Sequence, residues 1–144
     1  VMNLGLFSCL LMMKRNNKYF ENLDDLSGLS KNHPLLSLSL LIILFSLAGI
    51  PPLAGFFAKF YIFKSVIEQS MYFLAVVGLL STVIAAFYYL RVIKIMYFDD
   101  ETEKFDTDHS LWLKFSLTAS TLLILIYFIF PSELVEVVSK INIM

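Results

Sequence analysis

The sequence predicts an all-α polytopic membrane protein: the end of one helix, three membrane spans of which one is discontinuous, and a C-terminal amphipathic helix. Three observations predict it. Hydrophobic residues fill 58% of the 144 positions and the mean hydropathy is +0.77, well above soluble proteins. Charged residues make up only 16% and are clustered, leaving apolar runs that reach the ~20 helical residues a bilayer crossing needs. One of these runs, "SLAGIPPLAGFFAKF" (residues 46–60), is broken by Gly49-Ile50-Pro51-Pro52 and then carries a lysine, Lys59.

Composition also excludes several functions. The net charge of −1 comes without a basic stripe, so the chain has no electrostatic footprint for nucleic acid. Cys9 is the single cysteine, which rules out an internal disulfide and makes no metal site alone; it reads as a small packing residue. Gly-rich phosphate loops, cysteine clusters, catalytic-triad patterns and carboxylate pairs are missing from the sequence, so no redox, cofactor or metal site is expected in it.

The whole chain, 1–144, reads as one membrane domain, and its elements follow in order. Residues 1–13 are an apolar run ended by Lys14 and Arg15. As helix it rises about 20 Å against a ~30 Å hydrocarbon core, and its charges follow the run where a signal peptide would place them before it. It reads as the last part of a membrane helix. Residues 14–34 form a polar loop with short-helix potential around Asn22 to Leu29. Residues 35–70 would make about 54 Å of unbroken helix, too long for one straight span, and the Gly-Ile-Pro-Pro interruption divides them. Residues 71–98 are a second long helix, and 99–110 an acidic loop. Residues 111–131 are a further span, stopped by Pro131. In the tail, 132–144, apolar positions 134, 135, 137, 138 and 141 alternate with Glu133, Glu136 and Lys140, the spacing of a helix lying on a membrane surface.

This topology puts loops 14–34 and 99–110 on one side. Eight of the eleven basic residues lie on or next to that side: Lys14, Arg15, Lys18, Lys31, Arg91, Lys94, Lys104 and Lys114. By the positive-inside rule these loops face inward and the C-terminus faces out.

The break and Lys59 are the candidate site. Pro51 and Pro52 remove two backbone donors, and Gly49 can take dihedrals that other residues avoid. Non-helical backbone at membrane depth is tolerated only against protein or water, and a broken helix places a partly negative end near Ala48 and a partly positive one near Leu53 inside the membrane. Transporters use such ends to handle ions, while a plain proline kink for packing is the other reading of the same residues. A central lysine costs about 2.5–3.5 kcal/mol on insertion scales, so Lys59 is read either as a proton carrier in an interior cavity or as a lysine permanently paired for packing.

Other candidates carry less. Ser81, Thr82, Tyr88 and Tyr89 are candidates for a polar path, set against helix–helix hydrogen bonding for the hydroxyl pair and interfacial anchoring for the tyrosines beside Arg91. Lys64 and Glu68, four apart, read as an ordinary ion pair. His33 and His109 sit in separate loops without ligand spacing and read as solvated.

At "FSLAGIPPLAGFFAKFYIFK" the chain resembles the discontinuous twelfth helix of the antiporter-like subunits of respiratory complex I. Upstream, "DDLSGLSKNHP" resembles the loop before that helix, and "STVIAAFYYLRVIKIMYF" resembles the thirteenth. "MNLGLFSCLL" resembles the end of the eleventh, and residues 111–131 fit the fourteenth by position only. Lysine followed by phenylalanine singles out one kind of subunit, since the others tend to carry glutamate, or lysine followed by aspartate, at this place.

The resemblance implies that the chain is the C-terminal portion of such a subunit. Lys59 would be its proton relay in redox-driven pumping, and Gly49, Pro51 and Pro52 the hydrated helix break beside it. It implies other membrane-arm subunits, lipids and a separate N-terminal piece of the same subunit as partners, with no cofactor in this chain. The family's further charged groups on its fifth, seventh and eighth helices have no counterpart here. A natural split subunit or a fragment would each account for that. A start at Val1, or initiation at Met2, suits a mitochondrial gene with an unusual start codon, and the richness in Phe, Ile, Asn and Lys hints at an AT-rich genome; the mitochondrial inner membrane is expected, with a bacterial plasma membrane as the alternative. A cation/proton antiporter subunit and a purely structural membrane protein are the rival functions.

Overall fold

A computed structural model describes residues 1–15, 18–19, 22–100 and 111–129. Most of the acidic loop, His109, Pro131 and the amphipathic tail lie outside the described residues. Apart from a two-residue antiparallel pairing of Lys14–Arg15 with Lys18–Tyr19, every regular element described is helical. The helices are α1 (Met2–Met12), α2 (Leu29–Asn32), α3 (Pro34–Ala48), α4 (Ala54–Glu68), α5 (Tyr72–Phe98) and α6 (Leu111–Ile129), with a 3-10 turn at Leu23–Leu26.

Residue type sets most of these limits. Pro34 opens α3 at a position where a missing N–H costs nothing and its fixed φ suits the helix. Gly49, at φ +85°, closes α3 in the left-handed region that favours glycine. Two prolines follow, and α4 starts only at Ala54. It ends in a turn where Ser70 N–H reaches the Ile67 carbonyl at 2.9 Å and Met71 N–H the Val66 carbonyl at 3.1 Å. The short helix expected around Asn22 to Leu29 is found divided. Gly28, left-handed at φ +66°, separates the 3-10 turn from α2, and its N–H bonds the Ile95 carbonyl of α5 at 3.3 Å. A tertiary contact, absent from any local pattern, thus decides where that turn stops.

α3 stands at the centre and packs against α1, α5 and α6. Leu40, Ile43 and Leu44 of α3 meet Cys9 of α1, Met96 of α5 and Leu117 of α6 in the core, while Leu26 and Leu29 close it from the loop side. Cys9 is fully buried and unbonded, a packing residue. α5 and α6 are long and apolar enough to cross a membrane, with mean hydropathy 2.2 and 1.7 over their most apolar stretches. The outer face of α5 is open: Phe73 is 85% exposed and Val83 66%. An apolar face of that size belongs against lipid or further protein, not water.

α1 packs closely on α6 and α3 at Gly5. A Cβ there would lie 2.8 Å from Ser120 Cβ and 2.9 Å from Ile43 Cδ1, nearer than side chains tolerate. Gly5→Val is therefore expected to lower the thermal unfolding midpoint of the solubilised assembly by an overpacking cost of about 1–3 kcal/mol. Adding Ile43→Val, which withdraws the Cδ1 atom, should recover part of the loss. An unchanged midpoint would show that α1 does not pack on α6 in this way.

Candidate proton-handling site at the helix break

The last four carbonyls of a helix have no partner inside it. In α3 these belong to Phe45, Ser46, Leu47 and Ala48. Gly49 N–H donates to the Phe45 and Ser46 carbonyls at 3.2 and 3.1 Å, and Ile50 N–H to that of Phe45 at 3.1 Å. The remaining two accept from a side chain: the Lys59 ammonium donates to the Leu47 carbonyl at 2.8 Å and to the Ala48 carbonyl at 3.1 Å. Its positive charge also faces the negative end of the α3 dipole. The lysine comes from the next helix and completes the end of this one.

The start of α4 is built against the same place. Pro51 and Pro52 carry no N–H, and the turn is closed by Leu53 N–H to the Ile50 carbonyl (3.1 Å) and Phe56 N–H to the Leu53 carbonyl (3.0 Å). Gly55 N–H donates to Ser46 Oγ at 3.1 Å, and the Ser46 hydroxyl donates to Met2 Sδ at 3.0 Å. Gly55 is buried, and a Cβ on it would fall inside the van der Waals envelope of the Ser46 carbonyl oxygen, so only glycine allows this approach. At Gly49 a Cβ would stand 3.2 Å from both Cδ and Nζ of Lys59. Further along α4, Phe57 meets Tyr127 of α6 edge-on at 5.6 Å.

Lys59 is half-buried, so the covered lysine expected from the sequence is not complete within this chain. Gly49 and the end of α3 shield its stem and ammonium on one side, and the rest is open. Gly49, Pro51 and Pro52 stand between α3 and α4, and Gly49 lies next to Lys59. Among the described residues, no hydrogen bond joins Ser81, Thr82, Tyr88 or Tyr89 to Lys59. Ser81 Oγ–H donates to the Gly78 carbonyl at 2.7 Å and Thr82 Oγ1–H to that of Leu79 at 2.8 Å, both within α5. Tyr88 is exposed, edge-on to Phe87, and Tyr89 packs against the core. Lys64 and Glu68 form an exposed pair at 3.8 Å. His33, expected in solvent, is half-buried as the N-cap of α3. It lines a cavity of about 450 Å³ at the loop end of the bundle with Met12, Leu36, Lys114 and Leu117, away from α4. Among the described residues no cluster of three or more His, Cys, Asp or Glu could hold a metal.

Sequence reasoning missed Ser46 and Gly55. Gly55 carried a signal, because a glycine inside a helix marks a close approach. Ser46 carried none, being one serine among three in α3.

The family model described as NADH:quinone oxidoreductase/Mrp antiporter, TM, matches residues 1–85, which include the break, Ser46, Gly55 and Lys59. The chain belongs to that family. More narrowly, it is similar to NADH-quinone oxidoreductase subunit N of Pelagibacter ubique, 80% identical over 143 residues, covering 99% of this chain and 30% of the relative. Subunit N of Rhodospirillum rubrum is 44% identical over 135 residues, covering 94% of this chain and 28% of the relative. A chain of respiratory complex I from Thermus thermophilus with bound aureothin has the same fold over 89% of this chain and 30% of its own length, with 27% identity and a TM-score of 0.72. The chain thus spans roughly a third or less of the length of these relatives and, with its family and helices, is a multi-pass membrane protein.

Gly49→Ala is expected to cost about 1–2 kcal/mol for the left-handed backbone and to displace the Lys59 stem. Lysine-directed labelling of the solubilised assembly, read by mass spectrometry, should then show faster modification of Lys59. Gly28→Ala, which carries the same backbone cost at φ +66°, should leave Lys59 labelling unchanged. Equal labelling in both variants would mean that Gly49 does not shield the lysine.

Proposed function

We propose that the chain works in the membrane arm of NADH:quinone oxidoreductase as part of a subunit N (subunit 2 in mitochondria), and that Lys59 is a proton-carrying group of redox-coupled proton pumping. The observation that carries this reading is the Lys59 ammonium seated on the Leu47 and Ala48 carbonyls at a helix break. α3 and α4 would each rise about 22 Å, short of the ~30 Å core, so end to end they make one discontinuous span. The charged lysine completes the end of α3. Release of its proton removes the charge that faces those carbonyls and leaves an amine whose two N–H groups hold them more weakly, which links proton occupancy to the strength of the contact at the break.

In this reading the redox chemistry belongs to other subunits and this chain contributes no redox site. The open side of Lys59 is covered by helices outside this chain, and lipid and neighbouring membrane-arm subunits cover α5. Ser81 and Thr82 keep oxygen lone pairs free for water and enter the path only as acceptors, while the Tyr88 and Tyr89 hydroxyls can donate or accept. The relatives named above are bacterial, so we place the chain in a bacterial plasma membrane and not in the mitochondrial inner membrane, with the C-terminus outward by the basic-residue count. The family description also names Mrp antiporters, which keeps a cation/proton antiporter as the second reading. The subunit N relatives favour the first.

The test uses Lys59→Met and Lys59→Arg in the assembled complex, with proton translocation and NADH oxidation measured in inverted vesicles. General acid–base groups contribute about 10²–10⁴-fold, so Lys59→Met should cut translocation at least about tenfold while the complex still assembles. Lys59→Arg keeps charge and donors but holds its proton, so it should assemble with impaired pumping. Full pumping in Lys59→Arg would reduce the lysine to a structural cation.

A further inference from the structure

We infer that Ser46 is a positioning residue for Lys59: it seats the start of α4 on the end of α3, so that the ammonium meets both free carbonyls at once. The inference rests on the reading of Lys59 as the proton carrier. Gly55 and Lys59 are four apart on α4 and share one face. Gly55 binds Ser46, and Lys59 binds the carbonyls of the next two residues, Leu47 and Ala48. The two helices therefore touch at two points one turn apart, and the first point sets the distance at the second. Leu53, the N-cap of α4, gives no side-chain cap, so the Ser46 hydroxyl supplies from the neighbouring helix the acceptor that a capping side chain would.

The hydroxyl is held for this task. Ser46 is 0% exposed, and its hydrogen is directed to Met2 Sδ at 3.0 Å, which leaves an oxygen lone pair for Gly55 N–H at 3.1 Å. Without the oxygen, the Gly55 N–H would stay buried and unmet, and α4 would lose the contact that keeps it closer to α3 than any side chain permits. A lysine stem one turn out would then swing off at least one carbonyl, and the environment that sets its protonation would change. Ser46 touches neither the proton nor Lys59, so its effect passes through the geometry of α4.

The test compares Ser46→Ala, Ser46→Cys and Ser46→Thr with Lys59→Met in the assembled complex. Ala removes the acceptor, Cys keeps the volume but accepts weakly, and Thr keeps the oxygen. Ala and Cys should speed hydrogen exchange at the Gly55 amide and displace the pH profile of proton translocation by about half a unit, a factor of about three in the protonation equilibrium. Thr should return the profile to that of the unmodified complex. A Cys variant that assembles with a superimposable pH profile would overturn the positioning role, as would a Thr variant displaced like Ala. Should Lys59→Met itself leave translocation intact, the reading of Lys59 fails first, and that result is separable from any failure of Ser46.

Discussion

A helix interrupted inside hydrocarbon must find partners for the backbone groups that the interruption exposes, because no bulk water is there to supply them. Around Gly49 to Leu53 this constraint governs which residues can stand where. Pro51 and Pro52 reduce the number of donors. Gly49 and Ile50 turn theirs back onto Phe45 and Ser46. The carbonyls of Leu47 and Ala48 are left, and the Lys59 ammonium takes both. A buried polar group without a partner costs about 1–3 kcal/mol, so two carbonyls cost about 2–6. A lysine at membrane depth costs about 2.5–3.5 on insertion scales. The contact between them relieves both costs at once, so break and lysine each make the other tolerable.

Under the proposed function, that balance would make the site responsive. A group whose charge is roughly offset by its surroundings can change state without a large reorganisation of the helices. A lysine held in a deep ion pair would lack that freedom. Two backbone carbonyls carry only partial charge, and they hold the ammonium without binding it as a full carboxylate would. On the proposed reading of Lys59, this intermediate strength of attachment is what would let it give up and regain a proton.

The surrounding architecture serves the junction more than it serves a closed fold. α3 is packed on several sides and provides a firm end for Lys59 to meet, with α1 delivering Met2 to Ser46 and α6 bracing α4 through the Phe57–Tyr127 contact. α5 is largely open, and only 6% of its most apolar stretch is buried within the chain. The chain therefore contains the break and the lysine, with Lys59 only half-buried by it.

What the sequence by itself determined follows from chemistry that acts over a few residues. Apolar run length and clustered charge determine a helical membrane chain, Gly49 and the two prolines determine where helix must stop, and an isolated lysine in an apolar run marks a group that needs a reason. These features need no knowledge of neighbours. The partner of Lys59, the Ser46–Gly55 contact, the division of the 22–32 loop at Gly28 and the half-buried place of His33 were decided only by tertiary structure. Each depends on how helices rotate and cross, which is set by contacts between residues far apart in the chain. Ser37, Ser39 and Ser46 look alike in sequence, yet only Ser46 ends up facing the first turn of α4, because only there do two helix ends meet.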